Sequence, residues 1–214
     1  MQTMGKLVSL AGIDGAGKTT QTRLLGQWLS ERGHTVAIEA PTGPSLVRRT
    51  LAELADQQGL ADYHDVFGAE VTHLITAFQR LRDWTERVVP AIPAHEWVVT
   101  DRSAICHYAA ASADGATNEA DLRLVLGRMP RPDLILYLDL PAEQARDRLT
   151  VRGSGLEDTT FLRANDRGYR ELPEFGDFVV VPASGPVVQV QARLREALRG
   201  RFPGTRGLAG RPTC

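Results

Sequence analysis

The stretch Gly12-Ile13-Asp14-Gly15-Ala16-Gly17-Lys18-Thr19 decides the fold. It has the form G-x-x-x-x-G-K-[ST], a loop whose backbone N–H groups curl around a polyphosphate. Its lysine neutralises β- and γ-phosphate oxygens, and its hydroxyl residue ligates magnesium. Those roles fall to Gly12, Gly15, Gly17, Lys18 and Thr19, with Asp14, Ala16 and Thr20 completing the expected phosphate-binding set. Side chains at the glycines would hold the backbone away from the anion, and a helix opening at Lys18 aims its positive N-terminal end at the same place. The surroundings agree, because the apolar run Leu7 to Ala11 precedes the loop and an amphipathic pattern follows it.

Outward from the loop, short aliphatic runs alternate with segments of helical period, the pattern of a βαβ protein with a parallel sheet. Strands are expected at Leu7 to Ala11, Thr35 to Glu39, Trp97 to Thr100, Leu134 to Asp139 and Phe178 to Val181. Helices are expected over Lys18 to Arg32, Pro44 to Gln57, Ala69 to Val89, Glu119 to Arg128, Pro141 to Arg152 and Pro186 to Arg199. The fold class is therefore α/β, with a central five-stranded parallel sheet flanked by helices. Gly33 suits a helix stop and Pro141 a first helical turn. Ala111 to Asn118 and Val151 to Thr160 read as irregular, either of them suited to a flap. From Arg201 the chain is Gly, Pro and Arg with little to bury, so a frayed tail is expected over 201–214.

The 214 residues suit one domain, taken as 1–200 with a short lid at about 150–160. A net charge of -1 gives no bulk attraction to nucleic acid or to anionic lipid, so phosphate recognition must be local. Cys106 and Cys214 are the only cysteines, too few for a disulfide framework, and no run is long and apolar enough to span a bilayer. A cytoplasmic protein is expected. His34, His64, His73, His95 and His107 show no metal-ligand spacing along the chain and read as structural or surface groups.

The phosphate loop serves GTPases, transport ATPases and small-molecule kinases alike. No guanine-reading Asn-Lys-x-Asp segment and no Leu-Ser-Gly-Gly-Gln signature is present. Instead, Trp97-Val98-Val99-Thr100-Asp101-Arg102 is an apolar strand ending in an acid and an arginine. Asp101 there either holds magnesium beside the loop or caps the next helix. Arg146, Arg148 and Arg152 follow the fourth strand, and Arg148 and Arg152, four apart, share a helix face. They either bring positive charge to a transferring phosphoryl group or form a solvated basic face.

With these features in this order, the chain resembles bacterial thymidylate kinases from about Lys6 to Leu198. The likeness rests on Gly12 to Gln21, Glu39-Ala40-Pro41-Thr42-Gly43-Pro44, Arg80, Asp101-Arg102 and Arg131 to Asp139, and more loosely on Phe161 to Leu172 and Pro182-Ala183-Ser184. It implies a nucleoside monophosphate kinase that moves the γ-phosphate of ATP, with Mg2+, to a small nucleotide acceptor. By the same resemblance Asp14 binds the sugar hydroxyl, Arg102 and one of Arg48 or Arg49 the acceptor phosphate, and Arg80 the base edge, with Pro41 and Thr76 in the acceptor site. Ala183 and Ser184 lie near adenine, and Arg148 belongs to the ATP site. Lys18, Asp101 and Arg152 are the catalytic set, and Thr19 and Asp101 the metal pair. Gly15 stands where some members carry an arginine, which makes this the lid-arginine type, with Arg152 as that arginine. The resemblance also implies a homodimer through the long helix.

Departures gather at the acceptor base. Thr76 stands where the family usually has a stacking phenylalanine, and Ala110-Ala111 where it has an aromatic residue and a glutamine. Ser103 replaces a tyrosine and Ala11 a glutamate. A ring sandwiching a base is worth roughly 1–3 kcal/mol, so thymidylate loses affinity unless Phe78, Tyr108 or Trp84 substitutes. The acceptor expected is thus dTMP or a related or modified nucleotide. Two rival readings stay open: a nucleoside kinase with Asp101 as base toward a sugar hydroxyl, and an inactive nucleotide-binding relative.

Overall fold

The computed structural model describes residues 5–40, 46–153 and 158–203. Five strands, β1 (Lys6–Ala11), β2 (Val36–Glu39), β3 (Trp97–Asp101), β4 (Leu134–Asp139) and β5 (Val179–Pro182), form one sheet in the order β2-β3-β1-β4-β5. All neighbours are parallel, with Val8 opposite Val99 on one side and opposite Leu134 on the other. β1 is central, so the loop leaving its carboxyl end sits in the middle of the sheet's upper edge.

Side chains alternate across the pleat, and the two cores record this directly. Leu7 and Ala11 of β1, Val98 of β3, and Ile135 and Tyr137 of β4 pack into one layer. Val8 and Leu10, Trp97 and Val99, and Leu134, Leu136 and Leu138 pack into the other. Strands buried on both faces read as unbroken apolar runs, which is why they stand out in the sequence.

The second layer contains α1 (Lys18–Ser30), α7 (Ala142–Val151) and α9 (Val187–Arg201). The first contains α3 (His64–Asp83), α4 (Val89–Ala94), α5 (Ala104–Ala113) and α6 (Glu119–Leu126). Helix α2 (Leu46–Gln57) lies beside α3, and α8 (Thr159–Arg170) lies on α5 and sends Leu162 to one core and Tyr169 to the other. Helix α1 stops at Ser30, short of the expected Arg32, and Gly33, with φ 84°, donates to the Ser30 carbonyl at 2.9 Å.

Three expectations need correction. Helix α5 was not foreseen, and it takes Ala111 to Ala113 from the stretch read as irregular. Its sequence AICHYAAASA is nearly all small or apolar because it is buried on most sides, so it offers no polar face to mark a period. Helix α8 was likewise not expected, and it takes in Thr159 and Thr160. The long helix starts at His64 rather than Ala69, bends at Gly68 (φ 78°, ψ 161°), and passes through a π-helical turn at Trp84–Val88 before α4. Pro41, residues 154–157 of the expected lid and residues 204–214 of the expected tail lie outside the described residues.

Candidate active site

The loop between β1 and α1 is wedged between protein atoms as well as shaped for an anion. A side chain at Gly15 (φ 84°) would place Cβ 2.5 Å from the Ala145 carbonyl, and one at Gly12 (φ 138°) would place it 2.8 Å from the Leu138 carbonyl. The sequence reading assigned the glycines to close anion approach, and the fold adds that β4 and α7 leave no room for anything larger at Gly12 and Gly15. Lys18 is 5% exposed. Its Nζ donates to the carbonyls of Gly12 and Ile13, both at 2.9 Å, and to Asp14 Oδ1 at 3.0 Å. Tyr169, from α8, donates its hydroxyl to the Gly12 carbonyl at 3.2 Å and braces the loop from below.

Asp101, at the carboxyl end of β3, is 7% exposed and accepts a short hydrogen bond from Thr19 Oγ1 on its Oδ2. Its second oxygen, Oδ1, is buried with no partner among the described residues. An unpaired buried carboxylate oxygen is costly, and a cation shared with Thr19 is what this pair fits. The cap of α5 is instead Ser103, so the capping reading of Asp101 is not what the fold adopts.

Arg102 is the one non-glycine with positive φ (80°) among the described residues. Two bonds hold this strained conformation: its N–H donates to the Leu10 carbonyl at 3.1 Å, and its guanidinium pairs with Asp14. Burial pushes the Asp14 pKa up, but Arg102 and Lys18 outweigh it and hold the carboxyl well below the usual range. Arg102 is pushed up in turn, chiefly by Asp14.

A cleft of about 500 Å³ opens on this loop, lined by Asp14 to Gln21, Arg102, Arg148, Leu149, Arg152 and the start of α9. The two lid-side arginines separate in role. Arg148 donates to the Ala183 carbonyl at 3.0 Å and the Gly185 carbonyl at 3.4 Å, so it secures the loop after β5. Arg152, at the end of α7, lines the cleft with no side-chain hydrogen bond or ion pair among the described residues. Arg146 is not part of the lining. Ser184 contributes its carbonyl to Arg193 at 3.0 Å, while the residues that face the cleft there are Gly185, Pro186 and Val187.

Arg80, on α3, is close enough to Arg102 to feel its charge. Burial first and the Arg102 charge next push its pKa down to about 10, and its Nε has no partner among the described residues. Arg48 is half-buried, and its charge acts on Arg80 and His107. Arg49, the next residue of α2, is exposed, so the fold separates two residues the sequence treated as equivalent. Thr76 is buried one turn before Arg80, and its hydroxyl donates back to the carbonyls of Thr72 (3.0 Å) and His73 (3.1 Å).

A triphosphate cradle, an acid paired with its threonine, and arginines on both sides of the cleft form the working parts of a phosphotransferase. The sequence matches the thymidylate kinase family over residues 10–194. The chain belongs to the thymidylate kinase family. It is similar to the thymidylate kinase of Synechococcus sp. (strain WH7803), 30% identical over 92% of this chain and 96% of the relative. It is also similar to the probable thymidylate kinase of Pyrococcus abyssi, 30% identical over 87% and 92%, and to the thymidylate kinase of Bordetella pertussis, 29% identical over 93% and 97%. Like its family, this kinase is an ATP-dependent phosphotransferase, and none of its described helices is long and apolar enough to cross a membrane.

The kinase's site includes residues the sequence did not single out. Gln21 lines the cleft and ties α1 to α9 by donating to the Val187 carbonyl at 3.0 Å. Its place in the opening motif was visible, but its partner is 166 residues away in the chain. Two of the three rings suggested as replacements for the missing stack are engaged elsewhere, and the third is at the surface. Trp84 is in the core, Arg123 lies 4.6 Å over the Tyr108 ring, and Phe78 is 57% exposed.

Proposed function

We propose that the protein transfers the γ-phosphoryl group of ATP to the phosphate of a pyrimidine nucleoside monophosphate, thymidylate included, with Arg102 and Arg48 binding the acceptor phosphate and Arg80 the base edge. The observation that carries this reading is Arg102, held in a strained backbone conformation against Asp14 of the phosphate loop, lining the cleft and near enough to Arg80 to act on its charge. In the transfer, an acceptor phosphate oxygen attacks the γ-phosphorus as the bond to the β,γ-bridging oxygen breaks. Lys18 and Arg152 neutralise the charge spreading over the γ-oxygens. Thr19 and Asp101 would hold Mg2+, which when bound neutralises charge on the β- and γ-phosphates.

Base handling is expected to be loose. Thr76 presents no ring, and its hydroxyl is spent within its own helix, so an acceptor is gripped through its phosphate and Arg80 rather than by stacking. A panel of nucleoside monophosphates and thymidine, assayed for ADP formation with Mg-ATP, tests the proposal. Turnover of thymidylate, with another pyrimidine monophosphate within about 10-fold in kcat/KM, is expected, since a missing stack costs on the order of 1–3 kcal/mol. Phosphorylation of thymidine but no monophosphate would favour the sugar-hydroxyl reading, and no acceptor-dependent ADP at all would favour the inactive one. The exposed Val71 and Phe78, seven apart on one face of α3, support a homodimer, which a monomer in sedimentation at assay concentration would rule out.

A further inference from the structure

Beside the acceptor wall, two histidines and an aspartate converge on a point no part of the phosphoryl transfer uses. His73 Nε2 lies 2.8 Å and His64 Nε2 3.5 Å from the same oxygen, Asp114 Oδ2. Ligand atoms of the three residues all lie within 4.8 Å of one another. We propose that His64, His73 and Asp114 form a binding site for a divalent transition-metal ion of the zinc class.

Ligands about 2.0–2.1 Å from a tetrahedral zinc ion stand roughly 3.3 Å apart, and the two distances from Asp114 Oδ2 to the imidazole nitrogens bracket that length, with the third edge no longer than 4.8 Å. Two imidazoles and one carboxylate suit zinc or cobalt rather than magnesium, which prefers oxygen throughout. His73 is 3% exposed, while His64 and Asp114 are half-buried, so a fourth position opens toward solvent for a water. The Asp114 carboxylate only accepts, so without an ion His73 Nε2 carries the ring proton toward it. With an ion on Nε2 the ring proton would sit on Nδ1, which in both histidines is buried with no partner among the described residues. Asp62 adds a second negative charge near His64 that offsets the nearby Arg48.

The bend at Gly68 makes the site. On a straight helix two residues nine apart lie about two and a half turns from each other, on opposite faces. The non-helical Gly68 lies between them and the rings of His64 and His73 stand 5.1 Å apart, so spacing along the chain conceals the pair. The proposal gives His64 and His73 a role beyond the structural or surface one read from the sequence. An ion here would tie the first turn of α3, the body of α3 and the end of α5 together. The His73 carbonyl accepts from both His107 Nε2 (2.9 Å) and Thr76, so the tie would stiffen the wall that faces the acceptor.

The test is a Co2+ titration of tag-free, nucleotide-free protein followed by visible absorption, then displacement by Zn2+. One Co2+ per chain with the intense bands of a four-coordinate ion, lost on adding Zn2+, is expected. His64→Ala and Asp114→Asn should each weaken binding at least about 10-fold without changing the far-ultraviolet dichroism of the metal-free protein. Both substitutions lie at half-buried helix ends, so if one variant does not fold the other carries the test. Absence of the bands in folded wild-type protein, or bands that survive in a folded variant, would overturn the proposal.

Discussion

Arg152 and Arg148 sit four residues apart in the sequence, yet the fold commits only one of them to other protein groups. Arg148 is spent on the carbonyls of Ala183 and Gly185, while Arg152 faces the cleft uncommitted among the described residues. A group that acts only as charge develops contributes to kcat more than to ground-state binding. Arg152→Ala is therefore expected to lower kcat by at least about 100-fold with the KM for ATP changed only a few-fold. Arg148→Ala should instead raise the KM for ATP, because the loop after β5 loses its anchor. Steady-state kinetics with ATP varied at saturating acceptor measures both, and a rise in KM alone for Arg152→Ala would make it a binding residue. At this scale the loop residues were legible, since glycine, lysine and threonine are there for backbone geometry and charge that allow few alternatives. The choice between Arg48 and Arg49 was not, because it depends on which way each side chain leaves its helix, and Arg152 was set apart from Arg148 by the family resemblance alone.

At the scale of elements, α5 and α8 are the pair the sequence concealed. Gly168 lets them meet closely: a Cβ there would lie 2.7 Å from the Ala109 carbonyl, a backbone atom with little freedom to retreat. Gly168→Ala is expected to destabilise the fold by about 1–3 kcal/mol, measured by urea unfolding. It should also lower activity, because the next residue, Tyr169, braces Gly12. Unchanged stability would mean that the two helices slide apart at no cost. Helix α5 was illegible for the same reason it matters, since an element enclosed on most sides carries no alternation of polar and apolar residues. The three central strands, enclosed too, remained visible as short aliphatic runs between turn residues.

Across the whole molecule, buried titratable groups couple stability to pH. Burial first, and the Arg80 charge next, push the His107 pKa down from 6.5 to about 2, so the folded protein holds it neutral. The unfolded chain takes up the proton below about 6.5, so this contribution is fully present above that pH and is lost as pH falls. Between pH 7 and 5 the loss should amount to roughly 1–2 kcal/mol, at no more than about 1.4 kcal/mol per pH unit. His107→Gln, which keeps a donor for the His73 carbonyl, should show that much less acid sensitivity in urea melts at the two pH values. Equal slopes in both proteins would show that His107 protonates readily in the fold.

The phosphate loop, the five-stranded parallel sheet and the kinase family were all determined by the sequence alone. Each depends on a local pattern: glycine spacing, short apolar runs, an acid and arginine at a strand end. What the tertiary structure decided is which distant groups meet: Thr19 with Asp101, Asp14 with Arg102, Gln21 with Val187, and His64 with His73 across the bend at Gly68. Those meetings depend on the crossover order of the sheet and on one left-handed glycine, and residue spacing along the chain carries neither.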